Sequence, residues 1–549
     1  MNEERRRPFW TEPHAWLAPG LVAVAAVSIQ PTGEFPILDD FDYSATVDDL
    51  RRHGEIRLSD WPSMTLIGQV LWGAGFSAAL GGTHLALRIS TLVLLAVGAV
   101  AAYCWMRGRQ SPRSGSAFAA SAIALSPQTL YFGCTFMTDI PGLALMLVSL
   151  WACAVGMSNE KAAPTIAASV VSSVAYLFRQ TAVIPAIATA IVEALRGRFR
   201  HAFLVLALPI ATAVLHRVWL VDHGVPHHAT IPMIDPSLLA DRWLMIERLA
   251  RIIVTTGLYL LPAAALWMGR FSTLDRSAKC VGLVATAASV AAAVFYSPFR
   301  PYDNMTVFDC GLGGDCSLNR IDRLEGAEFF AFGRRWSLFR IVCSSIAAAS
   351  LGVCAAVVVQ SWRNQWSPAG RQLALSIAGC TLFALISGSF YERYLIPVWS
   401  LGMLALTLVA PKPTKAAWAV SLIVALIGVA GSQDYFCRFR TVWAALEEFK
   451  RNGAPAEAID GGMEFAALHR FNPFYRGKPE RVRPFLNAKS EFERSDLIRP
   501  MVLDPFSPWR IRLPYAVSYG DDGEIIVKKL VYTSWVRRGS VFMLKRKPR

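Results

Sequence analysis

The sequence predicts an α-helical polytopic membrane protein followed by a small α/β domain, and three observations predict it. Of 549 residues, 54% are hydrophobic and 17% charged, with a mean hydropathy of +0.37; ordinary soluble domains carry about 25% charged residues. The apolar residues fall into blocks of about 16 to 22, close to the ~20 that a helix needs to cross a hydrocarbon core about 30 Å thick. Beyond position 432 the charge density rises and Gly-rich and Pro-rich connections appear. A disordered chain, a coiled coil and a cytosolic enzyme are set aside on these grounds.

Read in order, about thirteen apolar segments are long enough to be spans: 15–29, 85–105, 117–132, 140–157, 162–177, 181–195, 202–220, 252–268, 280–296, 339–360, 373–390, 395–410 and 416–431. The first follows Arg5, Arg6 and Arg7. It reads as a retained anchor rather than a signal peptide, because its outer end runs directly into an acidic loop. Segment 64–80 is apolar but interrupted by Gly68, Gly73 and Gly75, so it reads as interfacial or re-entrant. Alternate connections carry Arg107, Arg109 and Arg113, Lys161, Arg196, Arg198 and Arg200, Arg270 and Lys279, Arg371, and Lys412 and Lys415. The positive-inside bias puts these on the cytoplasmic face together with the N-terminus. The organisation expected is a transmembrane domain over 1–432 with a first outer loop at 30–84, and an extracytoplasmic domain over 433–549. In that last domain, strands are expected at 524–535 and 540–545, with Asp521-Asp522-Gly523 as turn chemistry. The location is an inner (plasma) membrane, with the C-terminal domain periplasmic or extracellular.

In so apolar a chain, charges at the outer face stand out. Leu38-Asp39-Asp40-Phe41-Asp42-Tyr43 places three carboxylates within four residues directly after the first span, a repulsive cluster unless a cation or a function offsets it. Its alternative is a solvated acidic loop or a helix N-cap. Asp139, in Thr138-Asp139-Ile140-Pro141, opens a hydrophobic segment on the same face, where an N-cap is again the plainer reading. Arg179 and Arg393 each sit between two closely spaced spans. Such arginines either snorkel to lipid headgroups or bind phosphate; Arg334 and Arg335 are weaker candidates of the same kind. Cys310 and Cys316 lie in a Gly-rich outer loop, where an oxidising compartment allows a disulfide, two free thiols being the alternative. His223, His227 and His228, with Asp222 and Asp235 nearby, match no established metal-ligand spacing.

Taken together, these residues resemble the membrane-embedded C-type glycosyltransferases (GT-C fold), in the branch holding protein O-mannosyltransferases and the lipid A aminoarabinose transferase. Asp39-Asp40-Phe41-Asp42-Tyr43 is similar to that branch's acidic pair with a following Tyr in the first outer loop. Gly54, Trp61-Pro62, Gly68-Gln69 and Leu87-Arg88 are similar to the continuation of the same loop. Phe136-Met137-Thr138-Asp139-Ile140-Pro141 resembles its second acidic motif, and Glu392-Arg393-Tyr394-Leu395 its Arg-Tyr element near the lipid phosphate, with Glu392 where Asp is common. The resemblance implies a sugar donor on a polyprenyl phosphate, an acceptor hydroxyl on a glycan, lipid or protein, and inverting transfer at the outer face. It also implies Asp39 as general base with Asp40 as its understudy, Asp139 on the acceptor side or at a cation, and Arg393, Tyr394 and Arg179 at the donor phosphate. Whether a divalent cation takes part is open on the sequence.

A polytopic transporter or flippase of lipid-linked glycan is the rival reading; it would place its charges along a midplane path and show repeat symmetry. The net charge of +15 does not call for nucleic acid, because the basic residues are dispersed over loops and tail and form no single stripe. Anionic lipid or glycan suits the tail's share.

Overall fold

The computed structural model describes residues 8–58, 62–159, 161–223, 241–295, 333–362, 367–387, 390–410, 412–470, 515–518, 525–535 and 538–545. The chain runs α1 (Leu17–Ile29), α2 (Asp40–His53), α3 (Ile67–Leu80), α4 (His84–Gly108), α5 (Arg113–Ala124), α6 (Pro127–Gly133), α7 (Asp139–Met157), α8 (Ala162–Phe178) and α9 (Ile184–Leu195). It continues through α10 (Phe199–His223), α11 (Arg242–Tyr259), α12 (Leu261–Ala265), α13 (Arg276–Phe295), α14 (Gly333–Trp362), α15 (Pro368–Ile386), α16 (Ile396–Leu408) and α17 (Lys415–Arg451). Within its described residues, each apolar segment expected to span is mainly helical. Among the described residues, six helices are both long and apolar enough to cross a membrane: α4, α7, α10, the Val342–Ser361 part of α14, α15 and α17.

Two expected spans are broken helices, and proline accounts for both. Segment 117–132 divides into α5 and α6 because Pro127 has no N–H to continue the ladder; Ser126 instead accepts from the Thr129 amide and restarts the helix. Segment 252–268 divides into α11 and α12 at Leu260, ahead of Pro262. The 14 residues of α3 reach only about 21 Å. Two of its glycines are close-approach positions: a Cβ on Gly68 would lie 2.4 Å from the Phe178 ring, and one on Gly73 2.5 Å from that of Phe136. α3 therefore lies flush against the residues that lead into Asp139 and Arg179.

The bundle has two chemically distinct ends. At one, Glu12 accepts from Arg107 at 3.1 Å, pairs with Arg113 at 3.3 Å and takes the Tyr103 hydroxyl, fastening the N-terminal turns to α4 and α5. At the same end Glu193 pairs with Arg196 at 2.6 Å and Arg198 at 3.1 Å, and Arg198 caps the Asn159 carbonyl at 2.8 Å. The other end lies about 28 Å away along α4, from Arg107 back to Arg88. There Asp139 opens α7.

α17, with 37 residues, is about 55 Å long, well beyond the ~30 Å that the bilayer requires. Its last turns carry the C-terminal domain, made of β1 (Ile459–Asp460), α18 (Met463–Arg470), β2 (Tyr515–Ser518), β3 (Ile525–Thr533) and β4 (Arg538–Lys545). The sheet order is β1-β2-β4-β3, with β1 and β2 parallel and the other pairs antiparallel. β4 buries Val541, Met543 and Leu544. The seat on α17 is polar as well as apolar: Ser534 donates to Asp434 at 2.5 Å, the Trp535 amide to Gln433 at 3.0 Å, and Lys528 to Glu448 at 2.7 Å.

Candidate functional site

The acidic loop is built before any side chain at its tip matters. Arg88, fully buried in the first turns of α4, donates through Nη1 to the carbonyls of Pro31 and Gly33, each at 2.9 Å, and through Nη2 to that of Phe35. Its guanidinium lies between the rings of Phe35 and Phe436, 4.9 and 5.3 Å from their centroids. The loop then turns through Leu38, whose φ of 57° is left-handed. Asp39 forms the N-cap position of α2 and Asp40 its first residue.

The two neighbouring aspartates face different surroundings. Asp40 is fully buried: Oδ1 accepts from the Ile37 amide and Oδ2 from the Phe136 amide at 3.3 Å. Burial pushes its carboxyl up to about 7, against the opposing pull of Arg88 and the two amides. Asp39 is the more open of the two, its side chain 18% exposed, and its Oδ2 accepts from Arg393 Nη2 at 3.3 Å.

Arg393 also approaches Asp139, with Nε 3.9 Å from Oδ1. Arg179 Nη1 pairs with the same Oδ1 at 3.2 Å and donates to Thr138 Oγ1 at 2.7 Å. Aromatic faces complete the setting: Tyr391 lies 4.7 Å from the Arg393 guanidinium and Tyr394 lies 5.4 Å from that of Arg179. Two arginines and two aspartates thus form one mostly buried cluster of balanced charge, in which each ion has a partner. Residues separated by more than 350 positions meet here. Arg179 comes from the break between α8 and the 3-10 turn Gln180–Val183, and Arg393 from the 3-10 turn Glu392–Leu395 ahead of α16. Arg248 of α11 steadies the approach to that second turn by donating to the carbonyls of Leu385 and Ser387 at 2.8 and 2.6 Å.

Beside the cluster lies a small, partly open cavity. Asp139, Arg179, Arg393 and Tyr394 form its polar end, and Leu143, Met146, Ile184 and Phe383 its apolar walls. Gly142 on α7 leaves the room for Arg179, since a Cβ there would stand 2.9 Å from Arg179 Cδ.

Of the residues singled out from the sequence, Asp39, Asp139, Arg179, Arg393 and Tyr394 come together, and Asp40 lies behind them. His223 stacks on Trp219 at the exposed end of α10. Cys310, Cys316, His227, His228 and Asp235 lie outside the described residues, as do the side chains of Arg334 and Arg335. Among the described residues no three His, Cys, Asp or Glu side chains converge as a metal ion would need, and Asp39 and Asp139 are engaged by arginine. Among the described residues, this cluster does not fit a cation site.

Sequence reasoning missed Glu464 and Arg248. Glu464, on α18, accepts from the Leu38 amide at 3.3 Å. No local signal marks it in a charge-rich tail. Arg248 leads into an apolar segment, where its charge could have been noticed.

No family model and no curated protein sequence matches the chain. Among solved structures it is similar to the archaeal oligosaccharyltransferase AglB from Archaeoglobus fulgidus in complex with an inhibitory peptide and a dolichol-phosphate. That match has 12% identity and a TM-score of 0.46, over 94% of this chain and 70% of the other. It is also similar to ArnT from Cupriavidus metallidurans bound to undecaprenyl phosphate, with 14% identity and a TM-score of 0.41, over 96% and 97% of the two chains. Likeness at this level describes overall shape and assigns no residue a role.

Proposed function

We propose that this is an integral membrane glycosyltransferase that moves a sugar from a polyprenyl-phosphate donor to an acceptor hydroxyl at the membrane face where Asp39, Asp139, Arg179 and Arg393 meet. The observation that carries the reading is the cavity that joins two guanidiniums to apolar walls, with an accessible carboxylate beside it. A lipid phosphate has the same division: an anionic head for Arg179 and Arg393, and a hydrocarbon chain for Leu143, Met146, Ile184 and Phe383. The motif resemblance to the C-type glycosyltransferases points the same way.

In this reading Asp39 takes the proton of the acceptor hydroxyl as its oxygen attacks the sugar C1 and the bond from C1 to the phosphate oxygen breaks with inversion. The leaving polyprenyl phosphate gains charge as it departs, and Arg393 and Arg179 stand where that charge develops. Arg393 is shared with Asp39 in the resting site, so its turn toward phosphate releases the carboxylate for its role as base. Asp139, between the two guanidiniums, orients both. Asp40 keeps the loop in place and does not substitute for Asp39, because both of its oxygens already face backbone amides.

The protein in nanodiscs, supplied with polyprenyl-phosphate-linked hexose and pentose donors, provides the test. Release of polyprenyl phosphate is followed with an added glycan or lipid acceptor. Asp39→Asn abolishes release while donor binding persists; undiminished release in that variant overturns the assignment.

A further inference from the structure

The C-terminal domain reaches the acidic loop by two routes. Glu464 Oε1 accepts from the Leu38 amide at 3.3 Å. Next to it Phe465 packs edge-on against Trp443 at 5.7 Å, and Trp443 stacks on Phe35 at 5.9 Å, within the same loop. Glu464 is 5% exposed and its neighbour Phe465 1%, so this contact is an interior one. Gly461 keeps α18 close to α17: a Cβ there would meet Leu446 at 2.6 Å.

The point of attachment matters because of what Leu38 does. A non-glycine residue in the left-handed region sits in a disfavoured backbone state that its surroundings must hold. Leu38 directly precedes Asp39, so a change at this peptide swings the aspartate away from Arg393. The membrane domain fixes the loop on either side, at Phe35 through Arg88 and at Asp40 through the Phe136 amide. The amide of Leu38 itself is held from the C-terminal domain.

We propose that Glu464 is a positioning residue for Asp39: as acceptor for the Leu38 amide, it makes the C-terminal domain a working part of the transfer site. This rests on the reading of Asp39 as the base. Burial pushes the Glu464 carboxyl up to about 7, with the charge of Asp39 adding to the effect, and either protonation state keeps an oxygen able to accept. The requirement is thus for an acceptor at the right reach, more than for a charge.

The full-length protein with Glu464→Gln, Glu464→Asp and Glu464→Ala tests this in nanodiscs. Gln keeps the reach and an acceptor, so its kcat stays within about twofold of wild type. Asp retracts the acceptor by one methylene and Ala removes it, so kcat falls by about tenfold, the scale expected of a sub-ångström displacement at the reacting group, with donor KM within about twofold. Amide hydrogen exchange in the peptide over 35–43 rises in the Asp and Ala variants and not in Gln, and it is readable even where turnover is lost. The inference falls if Asp and Ala leave both kcat and that exchange at wild-type values, or if Gln falls as far as Ala. Asp39→Asn is the separate control. Full turnover there removes the proposed base, whereas a dead Asp39→Asn beside wild-type Glu464 variants removes only the role of Glu464.

Discussion

A single methyl group added to α7 separates positioning from charge at this site. Gly142→Ala alters no polar atom, yet its Cβ would stand 2.9 Å from Arg179 Cδ and 3.1 Å from Arg179 Cβ. Carbon pairs settle at about 3.5–4.0 Å, so the arginine stem has to move by roughly half an ångström or more. The Nη1 bond to Thr138, now 2.7 Å, then lengthens by a comparable amount and is pulled off its axis, which weakens it. A hydrogen bond to a charged group contributes about 1.5–3 kcal/mol, and about 1.4 kcal/mol is a factor of ten. A phosphate held by the displaced guanidinium suffers a comparable loss, so donor KM rises by about 10- to 100-fold. Helix stability moves the opposite way, since Ala in place of a helical Gly contributes about 0.5–1 kcal/mol. The assay is initial-rate release of polyprenyl phosphate against donor concentration, run beside thermal unfolding, with Gly20→Ala as the control because nothing lies within 4 Å of its added Cβ. A Gly142→Ala protein that is folded, as stable as wild type and unchanged in donor KM would refute both the steric argument and the place given to Arg179.

The loop clamp and the buried aspartate make their own predictions. Arg88→Met leaves the carbonyls of Pro31, Gly33 and Phe35 without their donor, which costs about 3–5 kcal/mol and shows as a lower unfolding midpoint. Arg88→Lys recovers only part of it, since one ammonium does not reproduce the planar fork; full recovery would count against the clamp. For Asp40 the sign follows from its raised carboxyl, at about 7 when folded and about 3.9 when unfolded. The native state holds the proton that the unfolded state releases, so this group's stabilisation is complete below about pH 4 and lost as pH rises through 7. Asp40→Asn is neutral throughout and leaves one of two amides without an acceptor. It is therefore less stable by about 1–3 kcal/mol at pH 4.5, with the gap to wild type narrowing toward pH 7.5; parallel unfolding curves would contradict this.

What was legible in the sequence follows from where charge is rare. Asp39, Asp139, Arg179 and Arg393 could be picked out because an ion beside an apolar span needs a partner, and the structure joins all four. That same rarity says nothing about which oxygen faces which donor; the Ile37 and Phe136 amides against Asp40 are what set it apart from Asp39. Gly68 and Gly73 read as weaknesses in a span, whereas they let α3 approach Phe178 and Phe136. Glu464 lies in a segment where charges are common, and only the tertiary fold brings it across more than 400 positions to Leu38.

α17 shows why composition and backbone part company at position 432. Before it, Leu422, Ile423 and Leu426 are each more than half exposed, as a lipid-facing surface would be in a membrane helix. After it, Phe436, Phe439, Val442, Leu446 and Phe449 are buried against the protein. The apolar requirement therefore never stops along the helix; its source changes from lipid to the acidic loop and the C-terminal domain. A hydropathy reading sees the polar residues Gln433, Asp434 and Arg438 and ends the span there. The backbone has no reason to stop, and by continuing it carries α18, and Glu464 with it, to the loop that holds Asp39.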